Sequence, residues 1–445
     1  MGRFECHSHT HYSNIRLLDC INTPKSLVNK AIEIGLAGIA ITDHECLSSH
    51  VELDKLTIEY AEKYPDFKIA RGNEIYLIDE RGPGQKYWHF ILIAKDAIGH
   101  KILRELSSTA WMNSYVDRGL ERVPTEKKEL ELIINKYGRG HLIASTACLG
   151  SELDGLILQL VNSRKIADKQ LEIETYYKII NFIDWCKSLF EDDFYLEVQP
   201  AKSDDQMAVN KMMRGISNKT NTKIIITTDA HYLTKEDRPF HKNFLNSSDG
   251  EREIDSFYEF AYLQPTEDVI DNLDGTGLDY YELEANTMEI YNKIQNYSLE
   301  RNQQVPEVPV KDYPKINIDT PSFPTLQYLY QSDNPQERYW VNQCVEKLKD
   351  LCLDNDEYFS RLEYEADIKK HVGDKINTCV FAYPIFLQHY INMFWECGSV
   401  VGAGRGSAGA GLNHYLLGII QTDPIKTKSP FWRYMNKDRA EMPKL

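Results

Sequence analysis

The chain has 445 residues, 42% of them hydrophobic and 27% charged, which at about 100–200 residues per domain implies two or three domains with real cores. Its net charge of −16 opposes tight nucleic-acid binding by the overall field, because a polyanion calls for a basic surface. No apolar run is long enough to span a bilayer, no h-region follows MGRFECHSHTH, and Cys6 stands where a myristoylation signal wants Ser or Thr, so membrane and secretory classes are set aside.

In chain order, the first 235 residues alternate short apolar runs with longer helical patterns. GLAGIAITDH, FKIARGNEIYL, WHFILIAKD, GHLIASTACLG, FYLEVQ and TKIIITTDAH read as buried strands, rich in Ile, Val and Leu and without clean alternation. Between them, Thr23 caps a helix with Pro24 at its first position, an apolar face of Leu27, Val28, Ala31 and Ile32, and a stop at Gly35. Thr125–Tyr137, closed by Gly138, repeats that design. Such alternation predicts a parallel sheet, open or closed into a barrel.

Asn246–Asp255 is polar and loop-like, and helical patterns resume near Asp268 and over Tyr280–Arg301. Pro306, Pro309, Pro314, Pro321 and Pro324 mark an extended connector. Helices are predicted over Gln336–Leu351, Tyr358–His371 and Tyr383–Cys397, the last aromatic-rich and expected to be mostly buried. The nine cysteines contain no CxxC pair and read mainly as reduced core thiols.

Metal-ligand residue types collect at the strand ends. In His7-Ser8-His9 and Asp229-Ala230-His231 the i, i+2 spacing turns both donors of an extended segment to one side. His44 ends one apolar run, Glu74 and Cys148 follow others, and His89 opens one. With Asp19 these make nine candidate ligands, more than one ion needs, so two or three divalent ions are expected. Imidazole, carboxylate and one thiolate favour zinc, manganese or iron over magnesium. Clustered divalent ions lower the pKa of a bridging water and neutralise charge on a phosphoryl oxygen, so phosphoester hydrolysis is the natural reaction class.

HSHTHYS, ITDHE, GNEIY, ACLG and TTDAHYL resemble the successive motifs of the polymerase and histidinol phosphatase (PHP) family. The resemblance implies a distorted (βα)7 TIM-like barrel and a trinuclear site in which His7, His9, Asp19, His44, Glu74, His89, Cys148, Asp229 and His231 act through bound metals. It also implies 3′–5′ exonuclease activity.

Near the end, Gly404-Arg405-Gly406-Ser407-Ala408-Gly409 matches GxGxxG, with Asp423 further on. A dinucleotide fold would need a clear preceding strand, and only Val400-Val401 suggests one. SVVGAGRGSAGAGLNHYLLGIIQTDPI instead resembles the palm motif of C-family bacterial replicative polymerases, the DNA polymerase III alpha subunits. SRLEYEADIKK and FAYPIFLQHYINMFWECG upstream, and FWRYMNKDRAEMP downstream, resemble the same subunit in order. By that resemblance Arg405, Gly406 and Ser407 hold the triphosphate of an incoming nucleotide, helped by the following helix start. The family's catalytic Asp-x-Asp would follow Met442-Pro443, where only Lys444 and Leu445 remain, with Lys444 at a usually acidic place. This chain is therefore not expected to polymerise DNA by itself, nor to bind duplex tightly.

The expectation is an α/β protein: a PHP phosphoesterase domain at 1–265, a helical and Pro-rich connector at 266–335, and the first part of an α/β palm at 336–445. The implied partners are DNA primer-template and dNTPs, with magnesium, in the complete enzyme, a C-terminal polymerase part, and other replisome subunits. No membrane is involved, and the expected location is the cytoplasm of a bacterial or phage-infected cell. The alternatives are a free-standing phosphatase of small esters and a metal-stabilised scaffold.

Overall fold

Seven strands form a nearly closed sheet in the order β1 (Phe4–Glu5), β2 (Gly38–Ile41), β3 (Lys68–Ile78), β4 (Trp88–Ala94), β5 (Leu142–Ser145), β6 (Phe194–Val198) and β7 (Ile224–Ile226). The computed structural model describes residues 2–117, 119–247, 256–300, 305–317 and 322–438. Met442, Pro443, Lys444, Pro321 and most of the 246–255 loop lie outside them. The chain divides into two units, Met1–Leu299 and Glu300–Leu445.

All six strands read from the sequence form. The barrel closes just past the ends of β1 and β7, where Ser8 bridges Ala230 in parallel and His9 N–H donates to Ala230 O at 3.0 Å. The expected all-parallel sheet is corrected at one strand. β4 runs antiparallel to both β3 and β5. Residues 79–87 between β3 and β4 are too few for a crossover helix, so the chain turns back as a hairpin.

The inner core is small and apolar, with Phe4, Ala40, Ala70, Ile91, Ile93, Ile143, Tyr195 and Ile225 pointing inward. Helix α1 (Pro24–Glu33) begins as read: Thr23 accepts from Ser26 N–H, and Gly35 takes φ +76° just beyond the end. The helices α2 (His50–Tyr60), α3 (Ala97–Met112), α4 (Lys127–Tyr137), α5 (Glu152–Lys165), α6 (Lys169–Phe190) and α7 (Asp204–Thr220) follow around the sheet. α4 starts one residue later than expected. Thr125 and Glu126 pair with Leu77 and Ile78, so Glu126 becomes the cap in place of Thr125.

A short α8 (Arg238–Leu245) precedes α9 (Thr266–Leu273) and α10 (Tyr280–Lys293). The last two were expected in a connector, yet they pack on the barrel. Ile290 and Ile294 enter the inner core, and Lys68 at the start of β3 donates to the carbonyls of Tyr291 and Ile294. α10 therefore seals the end where the parallel strands begin and leaves the opposite edge for chemistry.

The second unit contains α11 (Pro324–Gln331), α12 (Pro335–Asp350), α13 (Asp356–Ile376), α14 (Ala382–Glu396) and α15 (Leu412–Leu416). Among its described residues there is no strand, where part of an α/β palm was expected. Trp340, Leu348, Leu362, Phe381 and Leu412 lie in its core. The Pro-rich segment is extended but not free. Gln336 donates to Val308 O and Arg338 to Tyr313 O, which ties it along α12. α14 is less buried than its composition suggested: only its first turn is inside, and Tyr390, Met393, Phe394 and Trp395 are 40–51% exposed.

Candidate metal centre

Each ligand-type residue reaches the open edge by a different route. His7 and His9 extend β1, His44 follows β2, Glu74 lies within β3, Cys148 follows β5, and Asp229 and His231 follow β7. His89 stands at the start of β4, and because that strand is reversed its first residues meet the last residues of its neighbours. Asp19 arrives on the loop after the short turn at His11–Ile15. The structure brings all nine predicted residues into one cluster.

Within it three groups could each hold an ion: His7, His9 and Asp229; His9, His44 and His231; Glu74, His89 and Cys148. Asp229 Oδ1 lies 3.1 Å from His7 Nε2 and 3.0 Å from His9 Nε2. Asp19 Oδ2 completes the second group at 3.4 Å from His44 Nε2 and 3.5 Å from His231 Nε2. Glu74 is central. Its Oε1 is 2.9 Å from His89 Nδ1 and 3.6 Å from His7 Nε2, and its Oε2 faces His9 and His44.

The donor chemistry fits cations. His7 Nδ1 and His231 Nδ1 are turned to Glu197 and to the Asp229 carbonyl, which leaves their Nε2 atoms facing inward as acceptors. His7 Nε2 and His9 Nε2 stand 3.0 Å apart. Asp19 Oδ1 is buried without a hydrogen-bond partner, and Glu74 Oε2, Asp229 Oδ1 and the His44 ring nitrogens are buried facing only one another and the neighbouring imidazoles. Carboxylates and imidazoles crowded at this density are costly in a protein interior unless a cation lies among them. Without metal, burial and His44 push His9 down to about 3. Burial also acts to lower His7, but Asp229 and Glu197 outweigh it and raise His7 to about 10.

The backbone is strained at the same edge. Glu45 (φ +37°), Ala147 (φ +61°) and Asp229 (φ +46°) adopt left-handed conformations beside or at ligand positions. Residues outside the predicted set support the ligands. Glu197 accepts from His7 Nδ1 at 2.6 Å, Ser145 Oγ at 2.5 Å and Thr227 Oγ1 at 2.6 Å. Ser13 Oγ stands 3.2 Å from His9 Nδ1 and donates to Asp43, and Tyr258 donates to Asp19 Oδ2. Glu197 had a visible signal, a lone charge inside the apolar run FYLEV. Ser13 and Tyr258 had none. Glu197→Gln keeps the shape but removes the charge that orients His7, and should weaken divalent-ion affinity by about 10–100-fold in a competition titration.

The glycine-rich loop lies in the second unit. Arg405, Gly406 and Ser407 are exposed, and Gly404 (φ +134°) and Gly406 (φ +71°) need glycine's conformational freedom. The expected contribution of the next helix start is corrected. Glu365 already accepts from Leu412 N–H (2.7 Å) and Asn413 N–H (3.0 Å), so those amides are occupied. Arg361 donates to Glu365 and to the Ala410 and Ser429 carbonyls, which pins the loop's far side.

Clustered His, Asp, Glu and Cys donors lie at one edge of the near-closed barrel, and the PHP domain family matches residues 5–201. The bacterial DNA polymerase III alpha NTPase domain matches residues 338–445. The chain is homologous to DNA polymerase III alpha subunits and to a phage and Bacillus DNA polymerase over 98% of its length. It is 37% identical to "Probable DNA polymerase YorL" of Bacillus subtilis (strain 168) over 98% of this chain and 36% of the relative. It is 30% identical to the DNA polymerase III subunit alpha of Campylobacter jejuni, and 30% to that of Aquifex aeolicus, each over 98% of this chain and 35% of the relative. The chain thus spans about a third of the length of these relatives. Among the described residues, no helix is long and apolar enough to cross a membrane.

Proposed function

We propose that residues 1–265 are a PHP domain that hydrolyses phosphodiester bonds at the 3′ end of DNA, within the amino-terminal part of a replicative polymerase of the DNA polymerase III alpha type. The observation that carries the hydrolytic reading is the convergence of nine metal-ligand side chains with buried, inward-facing acceptors. In this reading Asp229, His7 and His9 hold one ion, Asp19, His44 and His231 a second, and Cys148 and His89 a third, with Glu74 shared. Bound divalent ions of the zinc, manganese or iron type would supply an acidified water and charge neutralisation at phosphorus. Glu197 keeps His7 in the tautomer whose Nε2 faces inward, and the barrel walls exclude bulk water.

Relatives named as DNA polymerases match 98% of this chain, which favours a nucleic-acid strand as the substrate and proofreading as its role in this reading. Arg405, Gly406 and Ser407 are the proposed contacts for a nucleotide triphosphate. Synthesis, its magnesium ions, primer-template and replisome subunits belong to the complete polymerase, working in the cytoplasm of a bacterial or phage-infected cell. Incubation of the metal-loaded protein with a 3′-mismatched primer and, separately, with small phosphate monoesters tests the assignment. Mononucleotide release from the primer supports it; turnover of small esters alone points to a free-standing phosphatase.

A further inference from the structure

The buried metal centre is open on one side. His7, His9 and Glu74 have no exposed side-chain surface and His44 and Asp229 have 4% or less, whereas His89 is 22% exposed. Beside His89 stands an aromatic and cationic rim. The Tyr76 ring, itself buried, lies 5.3 Å from His89 and 6.2 Å from His44 and backs the half-buried Tyr87 ring at 5.0 Å. Arg122 donates to Tyr87 Oη at 2.9 Å and holds its guanidinium 5.5 Å from the Tyr87 ring. Arg16 stacks on Trp111 at 5.2 Å and donates to the Glu121 carbonyl, and its Nε has no partner.

Three insertions meet to build this rim: the turn carrying Arg16, the 79–87 loop, and the hairpin of Tyr115–Asp117 with Leu120–Arg122. The hairpin is fastened to the 79–87 loop by Tyr115 Oη to Gly82 O and Gly84 N to Asp117 Oδ2. Nearby acidic groups are already engaged, Asp117 by Gly84 and Glu121 by Ser114. Both arginines are half-buried, and among the described residues neither guanidinium forms an ion pair with a carboxylate. This placement bears on the chain's net charge of −16, because a nucleic-acid strand approaching so acidic a protein needs local cations at the point of entry.

We infer that Tyr87 and Arg122, with Arg16 and Trp111, form a binding site for single-stranded nucleic acid that feeds a strand end to the metal centre. Aromatic faces accept any base and arginines take phosphates, the combination by which single strands are held without sequence preference. Duplex, whose bases are stacked on one another, has nothing to offer the rings. The inference rests on the phosphodiesterase reading for its purpose, but its test does not depend on turnover.

Fluorescence anisotropy with a labelled single-stranded oligodeoxynucleotide, its terminal linkages made phosphorothioate to resist hydrolysis, measures binding to the metal-loaded full chain. Arg122→Ala and Tyr87→Ala should each weaken binding about tenfold. Tyr87→Phe should restore most of the affinity. Arg122→Ala should also flatten the slope of log Kd against log salt by about 0.7, and Arg122→Lys should restore that slope. Metal content measured on each variant shows whether the centre is intact. Wild-type affinity and salt slope in both alanine variants would overturn the inference, as would a parent protein that does not bind the oligonucleotide. A parent that binds in this pattern yet never hydrolyses a strand would leave the rim standing and remove the exonuclease reading.

Discussion

Asp229→Asn is expected to lower mononucleotide release from a mismatched primer by at least about a thousandfold, the equivalent of roughly 4 kcal/mol of lost transition-state stabilisation. Asparagine is the informative replacement. Residue 229 sits at φ +46°, a conformation that Asn adopts at lower cost than Ala, so the backbone is kept while the charge is removed. The lost charge is the one that lies 3.0–3.1 Å from two imidazole nitrogens. Single-turnover kinetics with metal content measured in parallel would separate loss of chemistry from loss of the ion. A variant retaining even a tenth of the parent rate would show that Asp229 is not part of the hydrolytic machinery.

Removal of metal should have the second large effect, on stability. Asp19, Glu74 and Asp229 are buried and crowded among imidazoles, so the folded state binds cations and the unfolded chain does so far less well. A single ion present at a thousand times its dissociation constant contributes about 4 kcal/mol, which is the least that loss of the cluster's ions should cost. For a unit of this size, where each kcal/mol moves Tm by about 2–4 °C, chelation should lower the melting temperature by at least about 8–16 °C. Calorimetry with and without a chelator, followed by re-addition of zinc or manganese, checks this. An unchanged Tm would mean that the cluster is held together without ions.

The barrel was legible because its strands are buried on both faces and announce themselves as apolar runs, most of them with a residue able to bind metal at one end. The reversal of β4 was not, since WHFILIAKD reads the same in either direction and only the short 79–87 loop carried the information. Nor was the second strand-like pairing at Thr125 and Glu126, two residues whose cap chemistry looked complete in itself. The nine residues of the cluster were readable from residue type and spacing, whereas Glu197 was visible only as a charge out of place. The rim of Arg16, Tyr87 and Arg122 had no signature at all, because three separate insertions build it. In the second unit, α14 looked like a core helix from its aromatic content, yet composition cannot say which turns face inward. The glycine-rich loop was legible as a loop, but the use of Glu365 to occupy the amides behind it was not, since the two lie on different helices.

The most direct test of the hydrolytic centre is release of the 3′-terminal mononucleotide from a mismatched primer by protein whose metal content is determined in the same sample. The account predicts two or three divalent ions per chain, release of mononucleotide, and loss of that release on chelation and in Asp229→Asn. A fully metal-loaded chain that releases nothing would contradict it.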